Sequence, residues 1–357
     1  MSEKIFNKSL IIGLGLIGGS FAKALRKNDV SAKIYAFDQD PDSLEKAIKS
    51  GVIDDFIMLD EKISDFDFIV LATPLSAYKK IFETIAGKIS PKAIIIDLGS
   101  LKNPVLKIVP KNLRPNFIAC HPIAGSEKTG FENSDAELFL GKKFIICTEN
   151  SDQNALKKVE EVVKKIGANV DFLEAKKHDE IYALVSHLPQ FISFLTKDLS
   201  PKKITDDFFK TAFRLDNSDA EIWGDIFKLN DENLEKFYLE FFDNLEENIK
   251  SPNVTLSLSK GLGLETSCFD KLSMTSCEFN AAQEKFLEEN FTAIFFRTLI
   301  VLSYLQISEI KNFQNYAGSG FRDFTSIAAI LNYEPEKLEK LIQKNRSQIL
   351  KNFNSLS

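Results

Sequence analysis

The chain has 357 residues, 44% hydrophobic and 27% charged, with a formal net charge of −6. That length supports two or three domains with buried cores, and the acidic balance weighs against nucleic acid or anionic membrane as a partner. Four cysteines without a CxxC pair make neither a disulfide framework nor a zinc site, and fit reduced thiols in the cytoplasm.

The first half alternates short apolar runs with amphipathic stretches. Strands are predicted at 9–12, 33–37, 68–72, 93–96, 117–119 and 143–147, and helices at 21–28, 43–50 and 153–166. Runs without polar alternation imply strands buried on both faces, and intervening helices imply βαβ units and a mostly parallel sheet. The opening residues imitate a secretion signal, with Lys4 and Lys8 ahead of an apolar run and Ala22-Lys23-Ala24 behind it. Gly13, Gly15 and Gly18 interrupt that run and have a better explanation below. After about residue 175 the strand runs end, and helices are predicted over 178–198, 203–213 and 221–250. Leu234, Phe237, Tyr238, Phe241, Phe242 and Leu245 fall on one face of a helix, as a core or subunit-interface stripe would. Residues 251–274 read as a loop-rich connection, and 280–356 as a second helical block. The most apolar stretch, 293–307, is broken by Arg297, so no membrane span is expected. The expected domains are 1–174, 175–250 and 251–357.

Gly13-Leu14-Gly15-Leu16-Ile17-Gly18 follows a strand and opens a helix. The first glycine permits a tight turn, the second lets backbone approach a pyrophosphate, and the third lets helix and strand pack closely. The helix start then offers N–H groups to the phosphates. Asp38 ends the second strand at the spacing of roughly 20 residues that places an acid on the ribose hydroxyls. Gln39, Asp40 and Pro41 follow, without an arginine to receive a 2′-phosphate, so NAD is expected over NADP. Thr73 and Pro74 end a later strand, and Asp97-Leu98-Gly99-Ser100 another. Ligands of doubly wound sheets sit beyond such strand ends, which places both turns at the nicotinamide half.

Three histidines occur, at spacings that fit no metal site. His121 follows the strand at 117–119, where an imidazole can take a hydroxyl proton as hydride leaves. His187 lies in Ser186-His187-Leu188-Pro189-Gln190, in a segment that Pro189 should bend. His178 sits in the charge run Lys176-Lys177-His178-Asp179-Glu180 and reads as a surface or helix-start residue. Arg214 and Arg322 are candidates to grip a carboxylate with a planar fork.

Five stretches in this order resemble the prephenate/arogenate (cyclohexadienyl) dehydrogenase family: the glycine motif through Ser20, Asp97 to Lys102, His121 to Glu127, Ser186 to Pro189, and Trp223 to Phe227. The resemblance implies a Rossmann-type α/β domain followed by an all-α domain, a 6-phosphogluconate dehydrogenase-like build. It further implies NAD(P)-dependent oxidative decarboxylation of a small cyclohexadienyl substrate, and a homodimer. Under it, His121 accepts the proton of the ring hydroxyl, Ser100 orients that histidine, and His187 lines the substrate pocket. Gln190 stands where the family often has a second histidine and becomes a substrate contact. Family members commonly read GFRDxTRIA ahead of a tryptophan element. Counting back from Trp223 puts Arg214 on the second arginine and Lys210 on the first, so Arg214 is the expected carboxylate anchor. A closer literal match, Gly320 to Ala328, carries Ser326 at that arginine position. Phe209-Lys210 and Phe321-Arg322 recur at nearly the separation of Asn230 and Asn345, which reads as a diverged duplication of the helical segment. Only the first copy keeps the Ser186-to-Pro189 motif; the second reads Ser303-Tyr304-Leu305-Gln306 there, and is expected to be structural.

Overall fold

The computed structural model describes residues 4–59, 63–125, 128–149, 152–250, 281–327 and 344–345. In chain order the first elements are β1 (Phe6–Ile12), α1 (Leu16–Lys27), β2 (Ser31–Phe37), α2 (Pro41–Lys49), β3 (Asp55–Phe56), β4 (Phe68–Leu71), α3 (Tyr78–Ile85), β5 (Ile94–Asp97), α4 (Asn103–Ile108), β6 (Phe117–Pro122), β7 (Lys143–Cys147), α5 (Gln153–Lys165) and β8 (Asn169–Leu173). The helical remainder comprises α6 (Ala175–Tyr182), α7 (Leu188–Thr196), α8 (Asp207–Ala212), α9 (Ala220–Leu229), α10 (Asp231–Lys250), α11 (Ala281–Glu289), α12 (Phe291–Leu305), α13 (Ile310–Phe313) and α14 (Ser319–Thr325).

The eight strands form one sheet in the order β3-β2-β1-β4-β5-β6-β7-β8. All pairs are parallel except β6 with β7. Every residue of β4 and β5 is buried, as continuous apolar runs require when helices cover both faces. Two strands escaped the periodicity reading. β3 has only two residues, both exposed. The edge strand β8 mixes Asn169 and Asp171 into its run and so lacks a buried-strand signature. α1 starts at Leu16, ahead of the expected 21, because Gly18 and Gly19 are chosen for close packing rather than helix propensity.

The chain separates into two compact units, Met1–Glu180 with Asp219–Asn230, and Ile181–Ser218 with Asp231–Ser357. The short helix α9 therefore belongs with the sheet, although its sequence position is inside the helical half. The expected loop-rich connection at 251–274 lies outside the described residues.

Within the second unit, α12 packs along α10. Leu234, Phe237, Phe241 and Leu245 of the predicted stripe are buried, while Tyr238 and Phe242 are half-buried. Asn248 of α10 donates to Ser303 Oγ at 2.9 Å and to Gln306 Oε1 at 2.8 Å. Arg297, whose charge interrupts the most apolar run, is 2% exposed, and its Nη2 donates to both carboxylate oxygens of Asp216, at 2.7 and 2.9 Å. It also donates to Ser193 Oγ at 3.0 Å and Ser200 Oγ at 3.2 Å. Burial lowers the pKa of the guanidinium and Asp216 opposes that shift. Among the described residues, no helix is long and apolar enough to cross a membrane.

Removing one member of a buried ion pair strands the other without water. Arg297→Met is expected to cost about 3–5 kcal/mol of unfolding free energy, read from urea denaturation. A loss below about 1 kcal/mol would show that Asp216 finds another partner at little cost.

Candidate active site

The glycine turn behaves as its spacing demands. Gly13 adopts φ +98°, and a Cβ there would stand 2.6 Å from the Ala72 carbonyl oxygen. A Cβ on Gly18 would run into the Gly13 carbonyl and sit 2.9 Å from Ala72 Cβ, so this glycine sets the approach of α1 to the sheet. Gly15 is different, because nothing lies within 4 Å of where its Cβ would stand. Leu16 and Ile17 form the first turn of α1, which contains no acidic residue. Asp38, just past β2, accepts from Leu14 N–H at 2.5 Å through Oδ2 and from Asp40 N–H at 2.8 Å through Oδ1. Asp40 itself caps α2 through Asp42 and Ser43. Thr73 and Pro74 follow β4 and lead into a short turn at Leu75–Ala77.

The next two strand ends are locked together by a buried ion pair. Lys102 Nζ donates to Asp97 Oδ2 and to the Cys120 carbonyl, both at 2.5 Å, and neither side chain is exposed. Asp97 also accepts from Cys120 N–H and Gly99 N–H, each at 3.1 Å. Burial pushes the Asp97 carboxyl up, and Lys102 with the two N–H groups pulls it back. Ser100 sits half-buried within this locked turn, between β5 and α4.

His121 lies near the end of β6, beside β5, and is half-buried. Its Nδ1 is 2.9 Å from His178 Nε2, and His178 Nδ1 is 2.8 Å from Asp179 Oδ1. His178 is fully buried and Asp179 is 2% exposed. The surface reading of His178 is therefore wrong, although its place in the first turn of α6 is right. A charge run misled it, since Lys176 and Lys177 are exposed while His178 turns inward. The helical face shared by His178, Ile181, Tyr182 and Val185, all buried, was the available signal. Asp179 accepts Lys102 N–H at 2.9 Å and Asn103 N–H at 2.8 Å, which caps α4 from a distant part of the chain. Asn230 of α9 donates to the Asp179 carbonyl at 2.9 Å. Burial and the nearby Lys102 charge push the His178 pKa well below the usual histidine value.

The other expected site residues lie in the helical unit. His187 is 1% exposed and ends a π-helical turn over Ala183–His187, where the helix adjusts before Pro189. The Gln190 amide is engaged at both ends, donating to the Leu215 carbonyl at 2.8 Å and accepting from Ser218 Oγ at 3.0 Å. Arg214 holds Asp323 Oδ2 through Nε at 2.7 Å and Nη2 at 2.6 Å. Arg322, by contrast, is exposed. Among the described residues, no cluster of metal-ligating side chains forms.

Residues 21–172 match the family described as prephenate dehydrogenase, nucleotide-binding domain, and 174–253 match prephenate dehydrogenase, dimerization domain. A cyclohexadienyl dehydrogenase of Zymomonas mobilis is 30% identical over 239 residues, which span 62% of this chain and 80% of that protein. A prephenate dehydrogenase of Lactococcus lactis is 27% identical over 267 residues, 71% of this chain and 72% of that one. Among solved structures, the prephenate dehydrogenase of A. aeolicus in complex with hydroxyphenyl propionate and NAD+ is 35% identical, with a TM-score of 0.60. That alignment covers 66% of this chain and 86% of the other. With both domains matched in order and the glycine turn, Asp38 and His121 at the strand ends, the chain belongs to the prephenate dehydrogenase family of oxidoreductases.

Proposed function

We propose that the chain oxidises prephenate with NAD and releases CO2, giving 4-hydroxyphenylpyruvate, the reaction that leads toward tyrosine. The observation that carries this reading is His121 near the end of β6, its Nδ1 held from behind by a buried second histidine. NAD fits the residues present. Gly15 leaves room for close backbone approach to a pyrophosphate, and the first turn of α1 carries no repelling acid. Asp38 stands at the end of β2 to accept from ribose hydroxyls, and no cation follows it to receive a 2′-phosphate. Thr73 and Pro74, beyond β4, would border the nicotinamide. The A. aeolicus relative, solved with NAD+ bound, supports the same cofactor.

When bound, the nicotinamide supplies the acceptor for the hydride on the hydroxyl-bearing ring carbon. His121 takes the hydroxyl proton as that carbon becomes a ketone, and Ser100 orients the hydroxyl and the imidazole. The ketone draws electrons through the ring, so the bond to the ring carboxylate breaks and CO2 leaves. The electron pair of that bond aromatises the ring, and the phenolate oxygen recovers the proton from His121. No net proton is released, so the histidine ends in its starting form.

Arg214 is our candidate for the substrate carboxylate. Its five N–H donors allow one guanidinium to hold Asp323 and a ligand carboxylate together. His187 borders the same substrate. Gln190, engaged with Leu215 and Ser218, shapes the pocket by fixing the segment on which Arg214 sits. The match of 174–253 to a dimerization domain supports a homodimer.

Purified protein mixed with NAD and prephenate is expected to yield reduced cofactor, followed by absorbance, with matching CO2 release. Arogenate and NADP serve as the competing substrate and cofactor, and no signal with either dienyl substrate would remove the assignment. Arg214→Ala is expected to raise KM for prephenate by about 10- to 100-fold, the worth of a charged hydrogen bond. Arg322→Ala should stay within about twofold of wild type, as expected if Arg214 alone anchors the carboxylate. The opposite pattern in steady-state kinetics would transfer the anchor to Arg322.

A further inference from the structure

We propose that His178 and Asp179 are positioning residues that fix the tautomer of His121, keeping its proton on Nδ1 and leaving Nε2 unprotonated to receive the substrate proton. The inference deepens the dehydrogenase reading, and its chain of reasoning starts at the far end. Asp179 accepts from two backbone N–H groups of the α4 start, at 2.9 and 2.8 Å, and a carboxylate so held is an acceptor only. His178 Nδ1, 2.8 Å away, must therefore carry a hydrogen. Among the described residues, the groups that face His178 include Asp179 on its own helix, Lys102 ahead of α4, and His121 on β6.

Full burial and the Lys102 ammonium both oppose a charge on this ring, so it stays neutral and its Nε2 is a lone pair. The only arrangement that satisfies the 2.9 Å contact then has His121 Nδ1 donating to His178 Nε2. A neutral imidazole carries one N–H, so His121 Nε2 is left as the base. An isolated imidazole prefers the opposite tautomer, and the buried pair overrides that preference. Asn230 steadies the arrangement through the Asp179 carbonyl at 2.9 Å. The logic is that of a histidine oriented by a buried carboxylate, with one more imidazole interposed.

With only three histidines in the chain, long-range proton–nitrogen NMR correlation on 15N-labelled protein can assign each ring. Recorded above the usual histidine titration range, the spectrum should show His121 and His178 each protonated on Nδ1. His121 protonated on Nε2 would overturn the proposal. This readout uses no substrate, so it stands apart from the cofactor-reduction assay, whose failure would instead remove the dehydrogenase reading. In kinetics, His178→Phe should lower kcat by about 10- to 1000-fold, the range of a misaligned general base, with KM for prephenate within about twofold. His178→Gln, whose amide can accept from His121 and donate to Asp179, should recover part of that loss. A His178→Phe enzyme with wild-type kcat would also refute the role. Should that variant fail to fold, the spectrum of the unmodified protein decides.

Discussion

The buried pair of Asp97 and Lys102 is the constraint on which the carboxyl ends of β5 and β6 depend. Two charges withdrawn from water are tolerated only when paired and hydrogen-bonded. Here Asp97 takes the ammonium and two backbone N–H groups, and Lys102 also takes the Cys120 carbonyl. The backbone partners belong to Gly99, just past β5, and to Cys120 in β6, so the pair ties together the strand ends that carry Ser100 and His121. A slip of either strand end would leave one charge without its partner. That penalty makes the two turns rigid, which is what the roles we propose for His121 and Ser100 require.

Asp179 extends the same logic one layer further. Its carboxylate caps α4 immediately after Lys102 and also takes the Nδ1 of His178. Packing of α4 and alignment of the histidine pair thus share one side chain. The fold does not hold a prebuilt site in place from outside; the hydrogen bonds that complete the start of a helix are the ones that orient the imidazoles.

Much of this was legible in the chain alone, and the limits are physical. Apolar runs such as those of β4 and β5 announce themselves because burial on both faces forbids polar alternation. The glycine turn is legible because Gly13 and Gly18 meet different steric demands at fixed spacing, while Gly15 leaves open space between them. The place of His121 at a strand end was legible, although β6 runs on through Pro122. His178 was not, because neighbours in sequence suggested solvent whereas its helical neighbours three and four residues on are buried. Gln190 and Arg214 show a second limit. Their partners, Leu215, Ser218 and Asp323, are settled by tertiary packing that no local pattern encodes.

The helical unit carries the argument into the later part of the chain. Asp323, on α14, holds the arginine we assign to the substrate, and Arg297, on α12, neutralises Asp216 two residues beyond that arginine. The Arg214 segment is thereby gripped at two points by residues beyond 280, while Gln190 fixes Leu215 between them. The segments bearing Phe209-Lys210 and Phe321-Arg322, which look like repeats of one another, also pack together as α8 and α14. Residues 281–327 are thus more than a cap on a finished domain. They supply the opposite charges without which Arg214 and Asp216 would sit on a polar, unsatisfied stretch beside the apolar core of Phe209 and Phe213. A chain ending after α10 would lose Asp323 and Arg297, and with them the partners that hold Arg214 and Asp216.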